Sequence, residues 1–343
     1  MKKLLFALAL AFVSVSCNSQ FTVTGPITDL GSVPEGSMVY LYNYNDKATT
    51  IDSVAIVNGT FKFKGAADPA KLYVAEVRWP GKKNRDKSWQ ASFIPEKAKL
   101  VMTIEKNYTD AKGAQGGVIN KLYQEFMEAV DTKTGDEVKP YCLEVFHANK
   151  ETYVGVEAIR TIIRSLEIEE IEGLMAESKA LSQDIYINRA LNAKKGEIAT
   201  AEGMPFIDFE GVGPDGNPVH LSDYVGQGNW VLCDFWASWC GPCMREMPNI
   251  RKVYDAFEGK NFMVLGICSW DNDDEMIAKR IEEKGMLWHQ IYMGLGRDHT
   301  DAYGIMGIPT LILFAPDGTV YKRGRELRGV NMYPTIKEAL GEK

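Results

Sequence analysis

No run of about 18 apolar residues interrupts the body of this 343-residue chain, so no interior segment is expected to span a membrane. Positive charge is not in excess either. The formal net charge is -7, which argues against a nucleic-acid-binding protein. Cysteine and histidine are scarce, with six and four residues, so a disulfide scaffold is not expected. Hydrophobic residues make up 45% of the chain, which is enough for two or three globular domains.

The first 17 residues, MKKLLFALALAFVSVSC, place two lysines before an apolar run and small residues before Cys17. This arrangement is typical of a signal peptide, which we assign to residues 1–16. The end of the run resembles a bacterial lipobox, whose cysteine is acylated and becomes the first mature residue. Ordinary cleavage nearby, with Cys17 incidental, is the alternative. The prediction is a periplasmic protein that is lipid-anchored through Cys17 to the inner or outer bacterial membrane.

Apolar periodicity divides the rest of the chain into three parts. Residues 17–112 contain alternating runs such as SMVYLYNY, and an Asn-Gly turn separates two of them. These patterns predict a small antiparallel β-sandwich. Residues 113–200 change to helical spacing, which predicts a helical connector with breaks near Ser165 and Ser182.

Residues 201–343 alternate between strand and helix patterns. WVLCDFWA and FMVLGICSW are nearly continuous apolar runs, as expected of strands covered on both faces of a sheet. PCMREMPNIRKVYDAFEG and DEMIAKRIEEKG are helical, and TLILFAPDGTVYKRG predicts two strands around an Asp-Gly turn. We therefore predict one α/β domain that ends in an antiparallel hairpin and a closing helix.

Cys240 and Cys243 are separated by two residues in the segment FWASWCGPC. A structural zinc site needs four ligands, but the chain has no second Cys-x-x-Cys and no histidines at ligand spacing. A redox pair is favoured instead, because the cysteines follow a predicted buried strand and open a helix. The free N–H groups and the dipole there favour the thiolate of Cys240. Cys240 would attack a target disulfide and Cys243 would resolve the mixed disulfide, without a cofactor or metal.

Residues 204–340 resemble the thioredoxin superfamily and, more narrowly, the TlpA/ResA-like exported thiol–disulfide oxidoreductases. MPFIDFEGVGPDGNPVHLSDYVGQGNWVLCDFWASWCGPCMREMPNI is similar to the opening strand and active-site segment of that family, and GIMGIPTLILFAPDGTV to its cis-proline segment. The resemblance implies a thioredoxin fold whose partners are dithiol or disulfide proteins and an electron donor that is not identified. Residues 21–105 resemble a β-rich domain of unknown function that precedes such modules in exported lipoproteins.

The resemblance also implies how a partner is bound. Pro309 would be cis and lie against the cysteine pair, and the Ile308 backbone would pair with the partner. A trans turn proline is the alternative. Trp239 would flank the disulfide as a hydrophobic lid. Gly241 and Pro242 form the thioredoxin-type dipeptide between the sulfurs, which favours a reductant.

Two carboxyl groups are candidate proton carriers. Asp234 lies inside an apolar strand, so its pKa should be raised, and it could accept the proton of Cys243. A carboxylate held by hydrogen bonds is the alternative. Glu246 follows Cys243 by one helical turn and is a second acid–base candidate from the resemblance to ResA-like proteins. A surface helix glutamate is the alternative. The strand next to Asp234 has no lysine, although thioredoxins usually hold one near this carboxyl, which shifts more of the proton path to Glu246.

The remaining cysteines fit no motif. Cys268 is predicted to be a buried inert thiol, with a third redox cysteine as the alternative. Cys233 is expected in the core, and Cys142 is expected to be a free thiol in the helical connector.

Three functions therefore follow, in order of preference. The first is an exported thiol–disulfide oxidoreductase. The second is a peroxiredoxin-type peroxidase, which shares the fold but needs a lone reactive cysteine after a threonine and a proline. Trp239 and Gly241 occupy the places beside Cys240. The third is a non-enzymatic binding lipoprotein with an accessory redox module.

Overall fold

The computed structural model of the chain describes residues 20–27, 33–79, 87–104, 114–257 and 259–342. The predicted signal peptide, residues 1–16, and the predicted lipid attachment site, Cys17, lie outside the described residues. The contacts divide the chain into two compact units, Met1–Asn188 and Arg189–Lys343, each described by itself. Within the described ranges, no helix has both the length and the apolar character to cross a membrane.

The first unit opens with two packed sheets. Its strands are β1 (Gln20–Pro26), β2 (Met38–Asn43), β3 (Asp46–Ala55), β4 (Thr60–Ala66), β5 (Tyr73–Trp79), β6 (Lys87–Phe93) and β7 (Lys99–Val101). One sheet has the strand order β3-β2-β5-β6 and the other has the order β4-β1-β7. Alternate residues of both sheets, including Phe61 and Val77, form one buried cluster between them. The predicted β-sandwich is confirmed.

One pairing in this sandwich differs from the antiparallel prediction. β1 pairs with β4 in antiparallel fashion but with β7 in parallel fashion. Parallel neighbours need a long crossover, and here the chain passes through the other sheet between β1 and β7. A hairpin signal in the sequence carries no information about such a distant pairing.

The helices that follow are α1 (Val118–Asp131), α2 (Val138–Ala148), α3 (Tyr153–Ile162), α4 (Ile168–Glu177), α5 (Lys179–Ser182) and α6 (Ile185–Ala199). The chain breaks at Ser165 and Ser182, as predicted, and also at Ser178, whose hydroxyl accepts from the Leu181 N–H and caps α5. Because the helices up to Asn188 belong to the same compact unit as the sandwich, a separate domain over residues 113–200 stays a prediction.

The second unit is built on one seven-stranded sheet. Its elements are β8 (Glu210–Val212), β9 (Pro218–His220), β10 (Trp230–Trp236), α7 (Gly241–Phe257), β11 (Phe262–Cys268), α8 (Asp274–Lys284), β12 (His289–Tyr292), α9 (Asp298–Ala302), β13 (Thr310–Phe314), β14 (Val320–Arg323) and α10 (Met332–Ala339). The strand order is β14-β13-β10-β11-β12-β8-β9. β10 is parallel to β11 and antiparallel to β13, so it lies inside the sheet.

The alternation of β10 decides which side chains face α7. Cys233 and Phe235 belong to the hydrophobic cluster on one face of the sheet. Leu232 and Trp236 belong to the cluster on the other face, together with the buried side of α7. Because successive side chains of a strand point to opposite faces, Asp234 shares the α7 side of the sheet.

Candidate active site

Cys240 and Cys243 form a disulfide, with an S–S distance of 2.09 Å and Cα atoms 5.3 Å apart. Cys243 is fully buried, whereas Cys240 keeps 4% of its surface exposed. A partner can therefore reach the first sulfur more easily than the second. The two residues between them, Gly241 and Pro242, are exposed.

The chain forms a helix at this point because Cys240 acts as its N-cap. The Cys240 carbonyl accepts from the Met244 N–H at 3.1 Å, and the Cys240 Sγ accepts from the Cys243 N–H at 3.1 Å. Pro242 has no N–H, which is harmless in the first turn of a helix. When the disulfide is reduced, the N–H bond and the helix dipole both favour the thiolate of Cys240.

A second loop lies directly against this sulfur. The Ile308–Pro309 peptide bond is cis, as the resemblance implied, and Pro309 is buried. The Ile308 carbonyl oxygen is 3.7 Å from the Cys240 Sγ. Trp239, which precedes Cys240, is 60% exposed, and its indole N–H donates to the Trp270 carbonyl at 3.1 Å. An open face with an aromatic side chain therefore borders the disulfide.

Asp234 is fully buried, and neither of its carboxyl oxygens has a hydrogen-bond partner among the described residues. The alternative of a carboxylate tied by hydrogen bonds is therefore not what the structure shows. Burial, with a smaller contribution from the Glu246 carboxylate, raises the pKa of Asp234 to about 8, although the Arg328 charge acts in the opposite direction. Near neutral pH this carboxyl can both hold and release a proton.

The second unit has curated relatives. The thiol-disulfide oxidoreductase ResA of Halalkalibacterium halodurans is 31% identical over 149 residues, which span 42% of this chain and 78% of that protein. This chain belongs to the ResA/TlpA-like family of thiol–disulfide oxidoreductases. The ResA of Bacillus subtilis is 29% identical over 153 residues, which span 42% of this chain and 75% of that protein. The protein is thus an oxidoreductase of the class that exchanges disulfides with dithiol or disulfide proteins.

Further comparisons cover both units. A model described as the AhpC/TSA family matches residues 203–323, and one described as a domain of unknown function (DUF4369) matches residues 21–123. The crystal structure of the thioredoxin domain of a Bacteroides vulgatus thiol-disulfide oxidoreductase is 34% identical, with a TM-score of 0.38. The alignment covers 41% of this chain and 98% of that one.

Two hydrogen bonds hold the carboxylate of Glu246 in place. Its Oε1 accepts from the Asn249 side-chain amide at 2.9 Å and from the Gly329 N–H at 2.7 Å. The side chain is half-buried, so Glu246 is not a freely solvated surface residue. Cys243 and Glu246 are three residues apart on α7, and residues at that spacing share a helix face.

The sequence did not indicate three residues of this site. Arg328 and Gly329 lie far along the chain from the cysteine motif, and Trp270 precedes α8. No motif marks any of them. The Arg328 charge lowers the pKa of Asp234, in the direction in which a lysine of the neighbouring strand would act if the sequence had one there.

Among the residues that the structure describes, the cysteines outside the disulfide are Cys142, Cys233 and Cys268, and all three are buried. Burial raises the pKa of the Cys142 thiol to about 11 and pushes those of Cys233 and Cys268 higher still. Such thiols stay protonated and react poorly, which fits the inert role expected of Cys268. Within the described ranges, no group of three or more His, Cys, Asp or Glu residues is arranged to hold a metal ion.

Asp234 should make stability depend on pH. The pKa of Asp234 in the folded state, about 8, exceeds its ordinary value of 3.8. The contribution of Asp234 to the free energy of unfolding is therefore fully present below about pH 4 and is lost as the pH rises through 8. Asp234→Asn should remove this loss and raise the free energy of unfolding at pH 9 by roughly 2–5 kcal/mol over wild type. Denaturant unfolding at pH 5 and pH 9 measures the effect.

Asp131→Asn is the control, because Asp131 is exposed at the end of α1. This variant should keep the wild-type loss of stability between the two pH values. An equal loss in Asp234→Asn would contradict the assignment of a raised pKa to Asp234.

Proposed function

We propose that this oxidoreductase is an exported protein that reduces disulfides of protein partners with the Cys240–Cys243 dithiol. One arrangement supports the proposal: the disulfide caps α7, touches the cis-proline loop and lies beside the exposed Trp239. A partner chain that reaches Cys240 would meet the Ile308 backbone on one side and the indole on the other.

The first step is attack by the Cys240 thiolate on a partner disulfide. A bond forms between the Cys240 Sγ and one partner sulfur, and the partner S–S bond breaks. The other partner sulfur leaves as a thiolate and takes a proton from water. The helix N-terminus favours the attacking form, because it stabilises negative charge on Cys240.

The second step releases the partner. Cys243 gives its proton to Asp234 and attacks the Cys240 Sγ, which re-forms the Cys240–Cys243 bond and breaks the mixed disulfide. The second partner sulfur leaves as a thiolate, so two electrons have passed from the enzyme to the partner. Glu246 is the second acid–base group, because it lies one helical turn from Cys243. A separate dithiol donor must then reduce the enzyme again.

Cysteine substitutions test these roles. Cys240→Ser should abolish catalysed reduction of insulin, because the attacking sulfur is lost. Cys243→Ser should retain attack but accumulate a mixed disulfide between Cys240 and the partner, which non-reducing electrophoresis and mass spectrometry detect. Cys268→Ala is the matched control and should keep wild-type turnover, because that thiol is buried and protonated. Wild-type protein without turnover would overturn the proposal.

The proposal that the enzyme reduces its partners, rather than oxidising them, depends on Gly241 and Pro242, the dipeptide that thioredoxins carry. We expect the Cys240–Cys243 couple to have a potential near the thioredoxin value of about -270 mV, rather than the value of about -120 mV for the oxidant DsbA. Equilibration with glutathione or dithiothreitol buffers measures it. A potential above about -180 mV would reverse the proposed direction of electron flow.

The proposal that the protein is exported depends on the signal-peptide pattern of residues 1–16. The proposal of a lipid anchor depends on Cys17. We expect mature protein from a bacterial host to begin at an acylated Cys17 and to fractionate with membranes. Cys17→Ala should abolish the acylated N-terminal peptide in mass spectra. An unmodified mature terminus in the wild type would contradict the anchor and leave the redox proposal standing.

A peroxidase is the second candidate, since the AhpC/TSA model covers residues 203–323. Cys240 has Trp239 and Gly241 as its neighbours, not the threonine and proline context of a peroxidatic cysteine. Stopped-flow measurement of peroxide consumption separates the two functions. Rapid peroxide turnover without insulin reduction would favour the peroxidase.

A further inference from the structure

Trp270, in the loop between β11 and α8, adopts a backbone conformation that tryptophan rarely takes. Its φ is +59°, in the left-handed region that favours glycine and asparagine. The other non-glycine residues with positive φ in the described part of the chain are Asn58 and Asn261. A bulky residue in this region is strained, and such strain persists only where the surrounding structure imposes it.

Hydrogen bonds on both sides of Trp270 impose this conformation. The Ser269 N–H donates to the Trp236 carbonyl at 2.8 Å, and the Asp271 N–H donates at 3.1 Å to a carbonyl of the loop that follows β12. The Asp271 carboxylate also accepts from the Ser238 N–H at 2.6 Å. Both Ser269 and Asp271 are buried. The loop is thus joined to the segment before the disulfide, and the peptides on either side of Trp270 are fixed.

The conformation directs the Trp270 carbonyl towards the aromatic side chain beside the disulfide. The Trp239 indole N–H donates to this carbonyl at 3.1 Å. Trp239 directly precedes Cys240 and is 60% exposed, so packing alone does not fix its ring. An exposed side chain without a fixed contact samples several rotamers. The hydrogen bond therefore restricts the orientation of the Trp239 ring.

The Trp270 side chain gains no hydrogen bond from the strained backbone. Its own indole N–H is buried and has no hydrogen-bond partner within the described ranges. The ring packs against the hydrophobic cluster that contains Phe235, and the Arg297 guanidinium lies 4.4 Å from the ring centroid. The Trp270 backbone carbonyl, by contrast, gains the contact with Trp239.

We propose that Trp270 is a positioning residue for partner binding. Its left-handed backbone presents a carbonyl that holds Trp239 in the orientation that a partner polypeptide meets beside Cys240. The inference deepens the proposed function and rests on it for the kinetic readout. The hydrogen bond between the Trp239 indole and the Trp270 carbonyl is present in the oxidised protein without any partner.

Loss of this hydrogen bond should weaken partner binding without slowing the chemistry. A free Trp239 side chain must be ordered each time a partner binds, and this ordering corresponds to an affinity loss of about two- to ten-fold. We expect KM for insulin to rise by this factor while kcat is unchanged. Reduction of bis(2-hydroxyethyl) disulfide should not change, because so small a molecule reaches Cys240 without covering the indole.

Four variants of the full chain separate the backbone of Trp270 from its ring. Trp270→Val and Trp270→Gly both remove the ring, but valine disfavours the left-handed region and glycine adopts it freely. Trp239→Phe keeps an aromatic ring and removes the N–H donor. Asn261→Val is the matched control, because Asn261 also has a positive φ, of 61°, and lies just before β11.

Two measurements are made on each variant. KM and kcat for insulin are determined with dithiothreitol as the electron donor. Hydrogen exchange of the Trp239 indole N–H is followed in the oxidised protein by ¹⁵N NMR, with the resonance assigned from its loss in Trp239→Phe.

The inference predicts a rise in KM of about two- to ten-fold in Trp270→Val and Trp239→Phe, and wild-type KM in Trp270→Gly and Asn261→Val. The Trp239 indole N–H should lose its protection from exchange in Trp270→Val and keep it in Trp270→Gly. The double variant Trp239→Phe/Trp270→Val should have the KM of Trp239→Phe alone, since both changes remove the same hydrogen bond.

Wild-type KM and exchange in Trp270→Val would overturn the inference. An equal rise of KM in Asn261→Val would also overturn it, because general destabilisation would then explain the effect. If Trp270→Val does not fold, an unchanged KM in Trp239→Phe contradicts the role of the hydrogen bond. If wild type reduces no insulin, the proposed function fails, but the exchange measurements still decide whether the Trp270 backbone holds Trp239.

Discussion

The start of α7 on Cys240 is the constraint to which the rest of the active site is fitted. A helix that begins at the end of a central strand points its free N–H groups at one sulfur, and the Cys243 N–H already reaches that sulfur in the disulfide. The same start buries Cys243 against the sheet. A single backbone geometry thus gives both partner access and thiolate stability to Cys240, and it leaves Cys243 buried.

The position of α7 destabilises the ionised form of a carboxyl group on the sheet below it. α7 covers the face of β10 that carries Asp234, and this removes the carboxyl from water without giving it a hydrogen bond. The burial that destabilises the ionised carboxyl also tunes it to exchange protons near neutral pH. Glu246 and Arg328 then act on it in opposite directions, from a helix and a turn that are distant in sequence.

The fold was largely predictable because its signals are local. The runs WVLCDFWA and FMVLGICSW became β10 and β11, since a strand covered on both faces must be apolar throughout. Both predicted helix breaks, near Ser165 and Ser182, also appear. The parallel pairing of β1 with β7 and the extra break at Ser178 were missed. The first depends on a crossover through another sheet, and the second on a serine whose capping role is visible only in the folded chain.

The sequence by itself determined the chemistry of the site: two cysteines at the spacing of one helical turn, a proline segment that follows them along the chain, and a carboxyl inside an apolar strand. These features can be recognised in the sequence because each depends on residues that are close along the chain. Only the tertiary structure decided which groups surround the carboxyl. Gly329 reaches Glu246 on α7 because Leu327 is buried in the core, and electrostatic fields act through space, so no local sequence pattern records these interactions.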